Sequence, residues 1–470
     1  MTPAGGTGPA IGFGPVRPDS GAAAGVTAWR PRLDFPALDG LRGLAVPFVL
    51  AFALRADLAR LGVPDPVQYL ADGGYLLVDL FLVLAGFLLA RPLVAVLTGT
   101  PAHALGLASG IVRRIAPLHL VAVAITIGWA VTGAWTSTAP ADSTGARIAD
   151  ALLINGLTGT PVTGDPLGWS VSAAVIGALL LIAATFAVTH RPHRPGRARR
   201  TGLVRVPVAH PERLVTVIGA TTAAIGLSLL LTGSDGTGGD GRSALGQALL
   251  GLGVGIVAFR LLEGATGSFA PPMLRTVPAR IPAAGAAALL ALAAALACVY
   301  RSDLVHDLDL LPMFPVAGAL IYFLAAPGTA RSGLYRLLTR RLPAWLGSRA
   351  LALYLLYGPV QLTLERVAER AGVDRASMPV AGSMLVAVTF GALAAAEAGH
   401  RWLEYLLAAR PEPDRPRPAV PPTVISLPET SGARPERVSR IDEQAIPSEL
   451  RLLPLPTRRT DLDVPKPVDK

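Results

Sequence analysis

Long apolar stretches separated by polar loops run through most of this 470-residue chain. A helix that crosses the hydrocarbon core of a bilayer, roughly 30 Å thick, needs about 20 mostly apolar residues. Residues 151–160 are too few to span and predict a surface or re-entrant segment. The pattern predicts an all-α, polytopic membrane helix bundle with ten spans, at residues 38–54, 75–97, 115–134, 169–189, 214–232, 243–262, 281–299, 310–326, 345–364 and 380–405.

Composition supports lipid as the solvent of this chain. Apolar residues make up 51% of the sequence and charged residues only 16%, whereas ordinary soluble domains carry about a quarter charged residues. This balance excludes a soluble enzyme and a disulfide-stapled secreted module. The net charge of +10 is spread over the loops between spans. Because a nucleic-acid site would gather that charge on one domain, no nucleic-acid partner is expected.

The charges of the loops predict how the bundle is oriented. The loops after spans 2, 4, 6 and 8, taken with Arg91 at the end of span 2, carry sixteen arginines but only two acidic residues, Glu212 and Glu263. Most loops on the opposite side carry more acidic than basic residues. Loops rich in Lys and Arg stay in the cytoplasm. We therefore expect both termini to be cytoplasmic, in a multi-pass protein of the cell membrane.

Two polar segments flank a predicted membrane domain of residues 35–408. Residues 1–34 are rich in Gly, Ala and Pro, and residues 409–470 are rich in Pro, Arg and Glu. Such compositions bury too little apolar surface to offset the entropy lost on ordering. Both segments are therefore expected to be disordered cytoplasmic tails.

Several spans carry glycines and polar groups in a distinctive order. The motifs are LDGLRG at 38–43, GGYLLVDLFLVLAGF at 73–87, RRIAPLHL at 113–120, WSVS at 169–172 and YLLYGP at 354–359. Together they resemble the acyltransferase-3 family of integral membrane proteins, over about residues 36–405. The resemblance implies ten helices with both ends inside. It also implies transfer of an acyl group, often acetyl, from cytoplasmic acyl-CoA to a hydroxyl of an envelope carbohydrate, a lipid or a small metabolite.

The resemblance also implies the partners of the chain, namely the lipid bilayer, acyl-CoA and a hydroxylated acceptor. Acyl-CoA, for example acetyl-CoA, would be a co-substrate and not a bound cofactor. No zinc, Walker A or dinucleotide-binding motif stands in the sequence, so no metal is expected either.

Three arginines are candidates for binding the acyl donor at the cytoplasmic end of the bundle. Arg42 lies in the first motif, and Arg113 and Arg114 precede the third span. Ionisable groups inside a membrane domain are usually functional. The alternatives are that Arg42 only extends to the interface and that Arg113 and Arg114 only mark the cytoplasmic side.

Three residues near the opposite end are candidates for contacts with the acceptor: Asp79, Trp169 and Ser170. Asp79 could equally be an interhelical partner within its span. An aromatic such as Trp169 is also the ordinary residue at a membrane interface.

The family's polar positions are altered in this chain. The family carries a histidine eleven residues after the arginine of its first motif, a step of about 16 Å on one helix face, but that position is Ala53 here. A family glutamate is Ala174, and a family serine is Ala85. Alanine cannot take a proton, and general-base catalysis contributes about 10²–10⁴ in rate.

Because of these alanines, the sequence leaves two hypotheses open. One is an active acyltransferase whose base comes from elsewhere, with His119 and Tyr357 as the candidate catalytic residues. The other is a catalytically inactive homologue, a pseudoenzyme that binds or regulates in the membrane.

Overall fold

The computed structural model describes residues 35–131, 149, 151–158, 168–192, 203–205, 208–232, 241–266, 311–326, 329–373 and 377–408. Backbone contacts divide the chain into two units, Met1–Pro411 and Glu412–Lys470, and every described residue belongs to the first. The predicted tails, residues 1–34 and 409–470, and the predicted span 281–299 lie outside the described residues.

The described chain is a succession of helices. Its first half contains α1 (Pro36–Ala53), α2 (Arg55–Arg60), α3 (Asp65–Asp72), a 3-10 turn (Gly73–Tyr75), α4 (Leu76–Thr98) and α5 (Pro101–Val131). Its second half contains α6 (Asn155–Thr158), α7 (Gly168–Thr189), α8 (Pro211–Thr232), α9 (Gly241–Thr266), α10 (Met313–Ala325), a 3-10 turn (Thr329–Arg331), α11 (Gly333–Leu338), α12 (Arg341–Arg370) and α13 (Met378–Ala408). Two three-residue strands, β1 (His190–Pro192) and β2 (Leu203–Arg205), pair antiparallel between α7 and α8.

The helices confirm a polytopic membrane bundle. Seven of the described helical segments are long and apolar enough to cross a membrane. They coincide with the predicted spans 1 to 6 and with the last one. The predicted span 8 falls on α10, whose 13 residues reach only about 20 Å. The predicted span 9 falls on α12, which is long but more polar. The count of ten and the sidedness of the termini stay predictions.

Helix α5 begins well before the predicted third span. The apolar pattern starts at residue 115, whereas the 31-residue helix begins at Pro101. Proline suits the first turn of a helix, and a helix can begin before its apolar stretch begins. Arg113 and Arg114 therefore lie in the middle of a helix and not in a loop, which fixes their positions relative to the spans.

Glycines let α9 lie very close to α4. Gly251 lies against Leu82, and Gly255 lies against the backbone of Val83, where an added Cβ would collide with the carbonyl oxygen. These two glycines are four residues apart and share one helix face. In a bilayer, close packing of small residues replaces the hydrophobic effect as the force that joins helices. The seam places α4 at the centre of the bundle.

The glycines of the first sequence motif hold α1 against α11 and α12. Gly40 lies on the backbone of Leu338, and Gly43 lies on the backbones of Pro343 and Gly347. A side chain at either glycine would overlap main-chain atoms that cannot move aside. Arg42 stands between these two glycines, so their packing fixes where its side chain begins.

The seam between α4 and α9 gives a stability prediction. Replacing Gly255→Ala forces a methyl group into the backbone of α4, and overpacking of this kind costs about 1–3 kcal/mol. The melting temperature of the detergent-solubilised protein should fall. Gly264→Ala on the same helix is the control, since nothing lies within 4 Å of an added Cβ there. Equal melting temperatures for the two variants would contradict the described packing.

Candidate functional site

Arg42 forms an ion pair within its own helix. Its Nη1 donates to Oδ1 of Asp39 at 3.0 Å. The Arg42 side chain is 24% exposed and that of Asp39 is 51% exposed. Helix α1 has Phe35 at its N-cap without a side-chain capping bond. Asp39 therefore partners Arg42 and does not cap the helix.

A second guanidinium group acts on Arg42 from another helix. Arg114 of α5 lies close enough that its positive charge repels that of Arg42. Two cations and one carboxylate leave a surplus of positive charge between α1 and α5. Arg42 is the least exposed of the three charged residues, since the Asp39 side chain is 51% exposed and Arg114 is exposed. The arrangement can attract an anion such as a phosphate or a carboxylate.

Arg113 makes a different set of contacts. Its Nε donates to the carbonyl oxygen of Ser109 at 3.0 Å, and its Nη2 donates to Oγ of Ser109 at 2.6 Å. Its side chain is exposed and bound to the preceding turn of α5. Of the three predicted donor-binding arginines, Arg114 acts on Arg42 through its charge, and Arg113 is bound to its own helix.

Two hydroxyl groups meet between α7 and α12. The Oγ of Ser170 and the phenolic oxygen of Tyr354 are 2.5 Å apart. The ring of Tyr354 also packs against Phe81 of α4, with 6.4 Å between the ring centroids and an interplanar angle of 75°. One predicted acceptor-side residue, Ser170, is therefore joined to Tyr354, the first residue of the YLLYGP motif.

Ser172, the second serine of the WSVS motif, lies on the opposite side of α7 from Ser170. Ser172 is fully buried, and its Oγ donates to the carbonyl oxygen of Leu153 at 2.5 Å. Leu153 has a φ of 58°, a left-handed backbone conformation that a branched side chain rarely adopts. The bond holds the 151–158 segment, including α6, against α7. Serines two residues apart on a helix point in nearly opposite directions, which is the sequence signal for these two roles.

The other two predicted acceptor-side residues lie in apolar surroundings. Trp169 is half-buried and packs, with Ala174, on a small cluster of apolar residues from α4, α7 and α9: Leu82, Ala173, Ala244 and Ala248. Asp79 is 2% exposed, and its Oδ2 has no hydrogen-bond partner in the part of the chain that the structure describes. No hydrogen bond among the described residues joins Asp79 to the Ser170–Tyr354 pair.

The two candidate catalytic residues are both buried. His119 is 7% exposed on α5, and Tyr357 is 2% exposed in the main apolar core. Ala53 lies at the end of α1, where it packs on the same core. The structure gives no described contact of His119 or Tyr357 with Arg42 or with Ser170, so a catalytic role for either residue stays a prediction.

These features define a class of protein: a polytopic membrane bundle with a cationic site between two of its helices and a hydroxyl pair between two others. Comparison with known families then shows a match to an acyltransferase domain over residues 35–397. The chain belongs to the acyltransferase-3 family. No curated protein and no solved structure matches it.

The bond from Ser172 to Leu153 gives a second stability prediction. Ser172→Ala leaves the buried carbonyl oxygen of Leu153 without that donor, which costs about 1–3 kcal/mol. We expect a lower melting temperature and faster proteolysis within residues 149–158. Ser383→Ala is the control, because the Ser383 hydroxyl is exposed and donates only to its own helix. If both variants behave like the wild type, the hydrogen bond does not hold the segment.

Proposed function

We propose that this protein takes an acyl group from acyl-CoA at the cytoplasmic side of the cell membrane and transfers it to a hydroxyl group. Acetyl-CoA is the donor that we would test first. The acceptor would be a carbohydrate of the envelope, a lipid or a small metabolite. The membership of the chain in the acyltransferase-3 family supports the transfer of an acyl group, and the donor and the acceptor are our inference.

The observation that carries the proposal is the position of Arg42, which is partly buried, bonded to Asp39 and flanked by two glycines that pack on α11 and α12. Arg114 adds a second positive charge from α5, and charge-assisted hydrogen bonds from guanidinium groups to an anion are strong. Acyl-CoA brings phosphate groups, which match the fork of an arginine. The thioester would then extend from this site into the bundle.

The reaction is an exchange of one ester for another. The oxygen of the acceptor hydroxyl attacks the thioester carbon, a C–O bond forms, and the C–S bond breaks. The hydroxyl proton ends on the sulfur, so the products are an O-acyl ester and free CoA. No oxidant or reductant is needed.

A second candidate function rests on the alanines at two family positions. Ala53 and Ala174 both pack on apolar residues, so neither environment offers the proton-accepting side chain that the family carries there. A catalytically inactive homologue that binds acyl-CoA, or binds another membrane protein, would retain this scaffold.

Binding of the donor is a prediction shared by the acyltransferase and by an inactive homologue that binds acyl-CoA. Calorimetry with the purified protein should show binding of acetyl-CoA. Arg42→Ala and Arg114→Ala should each raise Kd about tenfold or more, since a hydrogen bond to a charged group contributes about 1.5–3 kcal/mol. Added salt should weaken binding to the wild type.

The matched control for these variants is Arg60→Ala. Arg60 also donates through Nη1 to an aspartate three residues before it, Asp57, at 2.6 Å, but it is exposed on α2. Its removal should leave Kd unchanged. Equal losses of affinity in all three variants would mean that binding depends on general charge and not on the Arg42–Arg114 site.

Restoring the two family side chains separates the enzyme from the inactive homologue. We expect the wild type to transfer acetyl groups. The double variant Ala53→His with Ala174→Glu should be at most about tenfold faster, because the wild type would already have a substitute for the base. Without such a substitute, the double variant would gain the full contribution of general-base catalysis, about 10²–10⁴. Transfer that appears only in the double variant would favour the inactive homologue. The melting temperature of the variant must first show that it folds.

A further inference from the structure

One stripe of α4 stays open although most of this helix is buried. Ala85 is exposed, while Phe81 and Leu88, about one turn away on either side, are half-buried. The residues between them, 82–84 and 86–87, are buried. Positions 81, 85 and 88 share one helix face and extend for about 10 Å along the axis. We refer to these three positions as the open stripe of α4.

The hydroxyl pair stands at one end of the open stripe. Phe81 is the last residue of the stripe on that side, and its ring is the one that Tyr354 contacts. Ser170 is 3% exposed, whereas Tyr354 is half-buried. Tyr354 is therefore the more accessible member of the pair.

Packing and hydrogen bonds fix the helices that carry both members of the pair. Ser172, two residues after Ser170, is fixed to the carbonyl oxygen of Leu153 on the opposite side of α7. Tyr354 belongs to α12, and Gly347 of that helix lies directly on the backbone of Asp39 in α1. Groups fixed by such packing can orient a ligand without reorganisation.

The pair occupies a region where side chains of the family are replaced by alanine. Ala85 lines the open stripe, and Ala174 lies one turn after Ser170 on α7. Charged groups are costly in the interior of a membrane domain. A hydroxyl carries no charge and can both donate and accept a hydrogen bond. It can therefore stay hydrogen-bonded to a substrate hydroxyl that changes from donor to acceptor.

We propose that Tyr354 and Ser170 bind the hydroxyl group of the acyl acceptor and direct its oxygen to the thioester carbon of the donor. The inference rests on the proposed acyltransferase function and assigns to it a site for the acceptor. It adds Tyr354 to the candidate acceptor-side residues. The 2.5 Å contact between the two hydroxyls would hold them together at the acceptor.

The test uses the purified full-length protein, acetyl-CoA as the donor, and water and glycerol as the acceptor probes. Free CoA and acetylglycerol are measured by chromatography. At saturating acetyl-CoA, Tyr354→Phe and Ser170→Ala should each lower product formation about tenfold, the effect of one or two lost hydrogen bonds. The KM for glycerol should rise, and Kd for acetyl-CoA should stay the same. Ser170→Thr, which keeps the hydroxyl, should retain most of the activity.

The matched control is Tyr322→Phe, which removes a phenol from a half-buried tyrosine on α10 that packs against Phe323. It should leave both product formation and Kd unchanged. If Tyr354→Phe and Ser170→Ala match the wild type, or if they lose acetyl-CoA binding in parallel with activity, the acceptor site is overturned. If the wild type binds acetyl-CoA but forms no product from either probe, the proposed acyltransfer itself fails and this inference fails with it.

Discussion

Two positive charges from different helices, Arg42 on α1 and Arg114 on α5, lie close enough to repel each other, and Asp39 is the carboxylate bonded to Arg42. The backbone contacts of α1 fix where the Arg42 side chain begins. Gly40 and Gly43, on either side of Arg42, provide those contacts on α11 and α12. The cationic site and the packing of α1 are thus one feature.

The remaining helices place the polar groups relative to that site. Close contact between α4 and α9 at Gly255 makes α4 central, and one open stripe of α4 borders the region of the hydroxyl pair. Helix α12 contacts α1 through Gly347 and carries Tyr354 two turns later. The same helix therefore joins the cationic end of the bundle to the end where we place the acceptor.

The sequence predicted the architecture well because hydropathy alone determines where helices can lie in lipid. It misplaced the start of α5, because a helix can continue from Pro101 through residues too polar to span. It could not show that the charge of Arg114 acts on Arg42, since loop charges carry no information on distances between helices. It also could not show that Tyr354 of the YLLYGP motif pairs with Ser170, which is 184 positions away along the chain. Contacts of that range depend on how the helices pack, which one sequence does not reveal.

Two of the positions where the family resemblance implies a proton-accepting side chain are alanines in this chain. Ala53 and Ala174 make apolar contacts, while Arg42 and the Ser170–Tyr354 pair provide polar groups. Binding of the donor can therefore be measured independently of catalysis.

The most direct test of this account is an experimental structure of the full-length protein with CoA or acetyl-CoA bound. We expect phosphate oxygens within hydrogen-bond distance of the guanidinium groups of both Arg42 and Arg114, with the thioester directed toward the open stripe of α4. A nucleotide bound elsewhere, with the two arginines turned apart toward lipid, would contradict it.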